Sequence, residues 1–344
     1  MNKQQITLGD TAQTKPKMPI ETRLNQKMEN FAKYFVLVLF AYIIATIFHV
    51  KRYLEAWVYN NDLEIQAQDL VFAVPGYLFS LGLFLISTRI ISPLLAKNYD
   101  PERKRSYEND QERIKRMGVY IYGMLYYSTS TLTILLLCWN SDFLPKSLGG
   151  KMHLLKIYES YPQEIPRIFR IVYLLSWGHH IESAITEQLT AKNSKSKWIM
   201  ALHGLITITL IFYSFIMKHY RFGFAIMITH DSNDIFLNCS RFFREYLGHQ
   251  GFMRNFTFLM LFLTWGYTRL YTYFAEIFSP LMQLIFGKFS DHFFSQFFFV
   301  LALNLLLLLN LFWFFQISKI LVTLFIKKKA ELAFEDAKVE KKTI

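Results

Sequence analysis

Cysteine is nearly absent from this chain: Cys138 and Cys239 are the only two in 344 residues. Both fall in or beside apolar runs, which excludes a disulfide framework and a thiolate metal site. The motifs that cradle phosphate or expose a nucleophile are missing too, with no G-x-x-x-x-G-K-[ST], G-x-G-x-x-G, H-E-x-x-H or G-x-S-x-G. No repeat on the scale of about 20–50 residues is found, which excludes a solenoid or propeller. The opening MNKQQITLGDTAQTKPK has no apolar core, so no cleavable secretory leader is expected. Arginine is also lacking before Arg23, and Asp10 intervenes, which disfavours a mitochondrial address.

What the chain has in excess is apolar surface: 53% of residues are hydrophobic and 17% aromatic, far from the composition of a soluble domain. A spanning helix needs about 20 mostly apolar residues, because about 30 Å of hydrocarbon is crossed at about 1.5 Å per residue. Runs that meet this test predict spans at 32–50, 70–96, 118–139, 167–186, 198–217, 221–240, 252–282 and 291–326. The expectation is an all-α polytopic transmembrane bundle of about eight spans, with seven as the alternative. The net charge of +12 would suit nucleic acid, but the basic residues sit in short clusters between apolar runs, so they fix topology and no nucleic-acid partner is expected.

The basic clusters are the tail before the first span, loop 97–117, the KNSKSK turn, Arg241 with Arg244, and the IKKK end. With eight spans they share one side, and the positive-inside rule puts both termini in the cytoplasm. Seven spans would put the termini on opposite sides. Trp57, Trp139 and Trp198 lie near span ends, where an apolar ring with one polar atom anchors at the wet boundary. The final run cannot cross straight and must tilt, kink or extend beyond the hydrocarbon. Lys341 and Lys342, third and fourth from Ile344, resemble a dilysine endoplasmic reticulum retrieval signal. The expected division is a polar tail (1–31), N-terminal spans with a basic loop (32–117), a transmembrane domain (118–326) and a charged tail (327–344).

A charged group at the bilayer centre costs at least about 2.5–3.5 kcal/mol, so ionisable residues at that depth point to function. His203 is the one ionisable group within the fifth predicted span, and His230, Asp231 and Asp234 crowd into a turn and a half of the sixth. Spacings of three and four put these three on one helical face, with Asn238 one turn further. An imidazole facing carboxylates supplies the parts for acyl transfer: a nucleophile or base, and an acid that orients it. The alternative is a polar cluster that holds helices together. These four side chains are metal-ligand types, but iron sites in membranes use many more histidines, so no metal and no resident cofactor are predicted.

The stretch Leu202-His203-Gly204-x-x-Thr207, then Tyr220-Arg221-Phe222-Gly223, then His230-Asp231-x-x-Asp234-x-x-Leu237 resembles the Lag1 motif of ceramide synthases in the TRAM-Lag1-CLN8 (TLC) domain family. Tyr161-Pro162-Gln163 and the turn at Lys195 and Lys197 fall in the family's order, so the resemblance covers about 160–250. It implies an endoplasmic reticulum membrane enzyme joining an acyl group from acyl-CoA to a sphingoid base. His203 would be the catalytic histidine, with Asp231 and Asp234, beside His230, its acidic partners. Two departures matter: Gly204 stands where the family has a second histidine, and Asn238 where it has an acid. Losing one member of a catalytic unit costs orders of magnitude, which leaves open a catalytically inactive, lipid-binding TLC-fold subunit of a larger membrane complex, the mitochondrial inner membrane included. Membrane lipids, and a homo-oligomer or complex, are the remaining partner expectations. His179 and His180, with Glu182, make a second polar point in the fourth span; because the family pattern places catalysis one span later, their role is left unassigned, with a structural one favoured over a relocated double histidine.

Overall fold

The computed structural model describes residues 67–96, 107–139, 141–152, 166–190, 194–216, 219–247, 251–287 and 293–340. The predicted span at 32–50, Tyr161-Pro162-Gln163 and the Lys341-Lys342 pair lie outside these residues. All regular structure among the described residues is helical. In chain order the elements are α1 (Ala73–Ile86) and α2 (Ser92–Ala96), α3 (Tyr107–Cys138), α4 (Arg167–Thr190), α5 (Ser194–Ile216), α6 (Tyr220–Leu247), α7 (Phe252–Thr264) and α8 (Ser279–Gly287), and α9 (Phe293–Glu340). Wide π-helical turns at Ser87–Ile91 and Trp265–Phe278 join α1 to α2 and α7 to α8, making seven rods among the described residues. Each predicted run from 70–96 onward is therefore a helix.

Among the described residues, four segments are long and apolar enough to cross a membrane: Asp69–Ala96, Gln111–Cys138, Lys197–Phe215 and Val300–Thr323. The others fall short for a physical reason. α4 carries Arg170 and Glu182, and α6 carries Asp231, all nearly or fully buried within the protein, so these helices spend their polarity inward. Outward faces are apolar: Leu78, Phe79, Leu205, Leu259, Leu308 and Phe315 are all exposed. A soluble protein would cover such a surface, whereas hydrocarbon accepts it. α9 runs 48 residues, about 72 Å at 1.5 Å per residue, more than twice the hydrocarbon thickness.

The rods close into a ring, in the neighbour order α1, α4, α5, α9, the α7–α8 rod, α6, α3 and back to α1. Along α3 the buried positions Met117, Ile121, Met124, Ser128, Thr131, Ile134 and Cys138 recur at steps of three and four, the stripe of a helix with one packed face. α1 and α4 cross with backbones in contact: a Cβ on Gly76 would overlap the backbone of Leu175, and one on Gly178 that of Ala73. Small residues at crossings are how membrane helices gain packing without a hydrophobic drive. At one end, loop 141–152 folds into the ring. Leu144 and Met152 are buried, Tyr267 donates to the Ser147 carbonyl at 2.9 Å, and the Ser147 amide donates to Glu276 at 3.1 Å.

The second π-helical stretch sets the inner wall. Trp265, Arg269, Tyr273 and Ile277 are all buried at strict four-residue intervals. In an α-helix of 3.6 residues per turn such a stripe would drift about 40° per step, and the wider winding holds it on one face. Arg269 thereby points into the ring.

Candidate active site

An inner cavity of about 80 Å³ lies within the ring, walled by His180 of α4, His203 and Gly204 of α5, His230, Asp231 and Asp234 of α6, and Arg269. A larger space of about 470 Å³ continues from it, sharing Tyr127, His203, Asp234 and Arg269 as walls. This outer cavity ends among Arg241, Arg244 and Arg254, where α6 stops and α7 begins. His203 sits about 14 Å along the axis from the start of α5 at 1.5 Å per residue, and so at membrane depth, nearer the arginine-rich end.

The four residues singled out in the sequence all line the inner cavity, yet their hydrogen bonds diverge to three neighbouring elements. Asp231 accepts from the Ser130 hydroxyl of α3 at 2.6 Å. Asp234 is ion-paired with Arg269 at 2.5 Å, the arginine being 3% exposed, and Arg269 also donates to the His230 carbonyl at 3.1 Å. The Arg269 guanidinium lies over the Trp265 ring, 4.2 Å from its centre, so one face of the cation rests on an aromatic face. His230 has both ring nitrogens engaged: Nδ1 donates to the Ile226 carbonyl at 2.8 Å, and Nε2 accepts from the Asn310 amide of α9 at 3.1 Å. Those partners fix a neutral imidazole of one tautomer.

His203 differs from all three. Its Nδ1 is buried with no hydrogen-bond partner, and its ring stands edge-on to Trp313 with centroids 5.0 Å apart. No hydrogen bond joins it to Asp231 or Asp234 among the described residues, so the carboxylates face the histidine across space rather than clamping it. Asn238 donates to the Asp234 carbonyl at 2.8 Å and packs against Gly123 of α3, where any Cβ would crowd its amide. It tightens the α3–α6 seam.

The fourth-helix pair divides in its roles. His179 is fully buried, stacked on Tyr126 with centroids 3.1 Å apart, and Nδ1 lies 2.7 Å from the Ser80 hydroxyl. Glu182 accepts from Tyr122 at 2.5 Å, Ser80 at 3.0 Å and Thr186 at 2.5 Å, which ties α1, α3 and α4 together. His180 instead lines the cavity with His203. Arg269 went unforeseen, although an arginine in the middle of the apolar run 252–282, well away from Arg254 at its start, was the available signal.

The geometry defines a polytopic helical membrane protein with a cavity among its helices, imidazoles and carboxylates in its wall and an arginine-lined approach. Residues 116–319 match the TLC domain, and the chain belongs to that family. It is 31% identical over 175 residues to ceramide synthase 4 of Bos taurus, covering 50% of this chain and 43% of the relative. It is 30% identical over 129 residues to the sphingosine N-acyltransferase-like protein FUM17 of Gibberella moniliformis, covering 37% and 32%. A longer alignment joins it to ceramide synthase hyl-2 of Caenorhabditis elegans, 25% identical over 252 residues and covering 69% and 73%. The chain thus spans about a third to a half of the length of the first curated relatives it matches.

Proposed function

We propose that this protein is an acyl-CoA:sphingoid base N-acyltransferase of the ceramide synthase type, resident in the endoplasmic reticulum membrane. The observation that carries the reading is His203, an imidazole with an unpartnered nitrogen in a cavity that also holds Asp231, Asp234 and Arg269. Family membership and similarity to ceramide synthases support the same substrate classes.

In the proposed first half-reaction, His203 Nε2 attacks the thioester carbon, a C–N bond forms, the C–S bond breaks and coenzyme A leaves as the thiolate. Nδ1 keeps its proton throughout, because a neutral imidazole that attacks through Nε2 carries its proton on Nδ1. The acyl-imidazolium is then open to attack by an amine. Asp231 and Asp234 add negative potential where the imidazolium cation develops, and Arg269 holds Asp234 in place. The arginine-lined outer cavity suits the phosphates of coenzyme A. By the positive-inside rule it opens to the cytoplasm, where acyl-CoA is met.

Gly204 favours one other reading, a TLC-fold subunit that holds lipid in the same cavity without turnover. Consumption of acyl-CoA with a sphingoid base, compared between the wild type and His203→Ala, separates the two. Turnover abolished by the substitution is expected. Equal rates, or none in either, would sink the enzyme reading, and intact phospholipid without an acyl adduct would favour the subunit.

A further inference from the structure

We propose that His180 is the cavity's second reactive imidazole, the base that takes the amine proton in the second half-reaction; this rests on the acyltransferase reading above. When the sphingoid nitrogen attacks the acyl carbon on His203, a new C–N bond forms and that nitrogen carries a proton too many. His203 cannot take it, because its Nε2 is bonded to the acyl group and its Nδ1 already holds a proton. A different group must.

The other basic groups of the cavity each hold at least one partner. His230 uses both nitrogens, on Ile226 and Asn310. Asp231 accepts from Ser130, and Asp234 is bound to Arg269. Glu187 is held by its neighbours. His180 lines the cavity, and no hydrogen bond to either of its nitrogens is found among the described residues. Its one ring contact among the described residues is edge-on, to His179 at 5.2 Å.

Its direction is built in. His179, adjacent on α4, is locked by Ser80 and by stacking on Tyr126, so α4 cannot rotate, and the next residue, about 100° round the helix, faces inward. One turn on, Ala184 meets α5 at Gly204: a Cβ there would lie 3.0 Å from the Ala184 Cβ. α4 and α5 therefore touch beside His203, and Gly204 adds no side chain to the space His180 looks into. In the reaction His180 accepts the proton, the C–N bond to His203 breaks with its electron pair returning to that ring, and His180 passes the proton to water, the coenzyme A thiolate having left in the first half-reaction and taken its proton from solvent. The products are the amide and the free thiol of coenzyme A.

The test is single-turnover kinetics of the full chain in lipid nanodiscs with palmitoyl-CoA, then sphinganine, for wild type, His180→Ala, His180→Asn and His203→Ala. Both His180 variants should still release coenzyme A and show the acyl adduct on His203 by mass spectrometry. They should form amide about 100-fold more slowly or worse, and added imidazole should rescue His180→Ala. His203→Ala should lose adduct and amide alike. Unchanged amide formation in both His180 variants overturns the proposal while leaving the acyltransferase reading intact. Loss of the adduct in His180→Asn at an unchanged thermal midpoint also overturns it, assigning His180 to the first half-reaction. A silent wild type overturns both readings.

Discussion

Arg269 and Asp234 stand 35 residues apart in sequence and 2.5 Å apart in space, their side chains 3% and 15% exposed. The pair bridges α6 to the π-helical stretch across the floor of the cavity. Coulomb attraction between buried charges is strong, but the desolvation of both offsets much of it, so the larger effect appears when one partner is removed.

Arg269→Gln leaves Asp234 without its counter-charge and should destabilise the fold by about 3–5 kcal/mol, the range for breaking a buried pair. The loss should appear as a lower thermal midpoint in detergent. The double variant Arg269→Gln/Asp234→Asn, which removes both charges, should recover a large part of it. A double variant no more stable than the single one would show that the pair does not act as a unit.

Much of the fold was legible in hydropathy, because lipid imposes a composition on whatever faces it. The runs at 70–96, 118–139 and 198–217 announce themselves through outward residues such as Leu78, Phe79 and Leu205, which have nothing polar to hide. α6 was visible for the opposite reason: charge at membrane depth is expensive and so stands out. Contacts between distant segments were not legible. Nothing near Asn310 in the sequence says that it will cap His230, and nothing near Arg269 names Asp234 as its partner. The shared face predicted for His230, Asp231 and Asp234 does reach one cavity, but a helix surrounded by neighbours lets adjacent residues choose different partners. The sequence leaves the roles of His179 and His180 unassigned, since nothing in it shows that about 100° of rotation on the helix separates an anchor from a cavity wall.

The crossing of α1 over α4 gives a prediction with an internal control. A side chain on Gly76 would overlap the Leu175 backbone, while a Cβ on Gly82, six residues along the same helix, meets nothing within 4 Å. Gly76→Val should force the helices apart and cost more than the roughly 1–3 kcal/mol of ordinary overpacking, since backbone cannot repack as side chains do. Gly82→Val should leave the thermal midpoint within about 2 °C, a shift smaller than about 1 kcal/mol would produce. Equal behaviour of the two variants would remove the close crossing as a feature of the fold.

The arginines at the outer cavity separate binding from chemistry. Arg244 is 59% exposed, and it lines the same space that reaches His203 and Asp234. On the acyltransferase proposal, a cation placed there attracts the phosphates of coenzyme A through water, at a range set by a Debye length of about 8 Å at physiological ionic strength. Arg244→Glu should therefore raise KM for acyl-CoA several-fold and leave KM for the sphingoid base unchanged. The effect should shrink as salt is raised, because added ions screen attraction and repulsion alike. kcat should hold, since Arg244 is remote from the bond that breaks, and interactions made equally in ground and transition states change KM alone. A fall in kcat at constant KM would show that the arginine end of the cavity is not where coenzyme A is held.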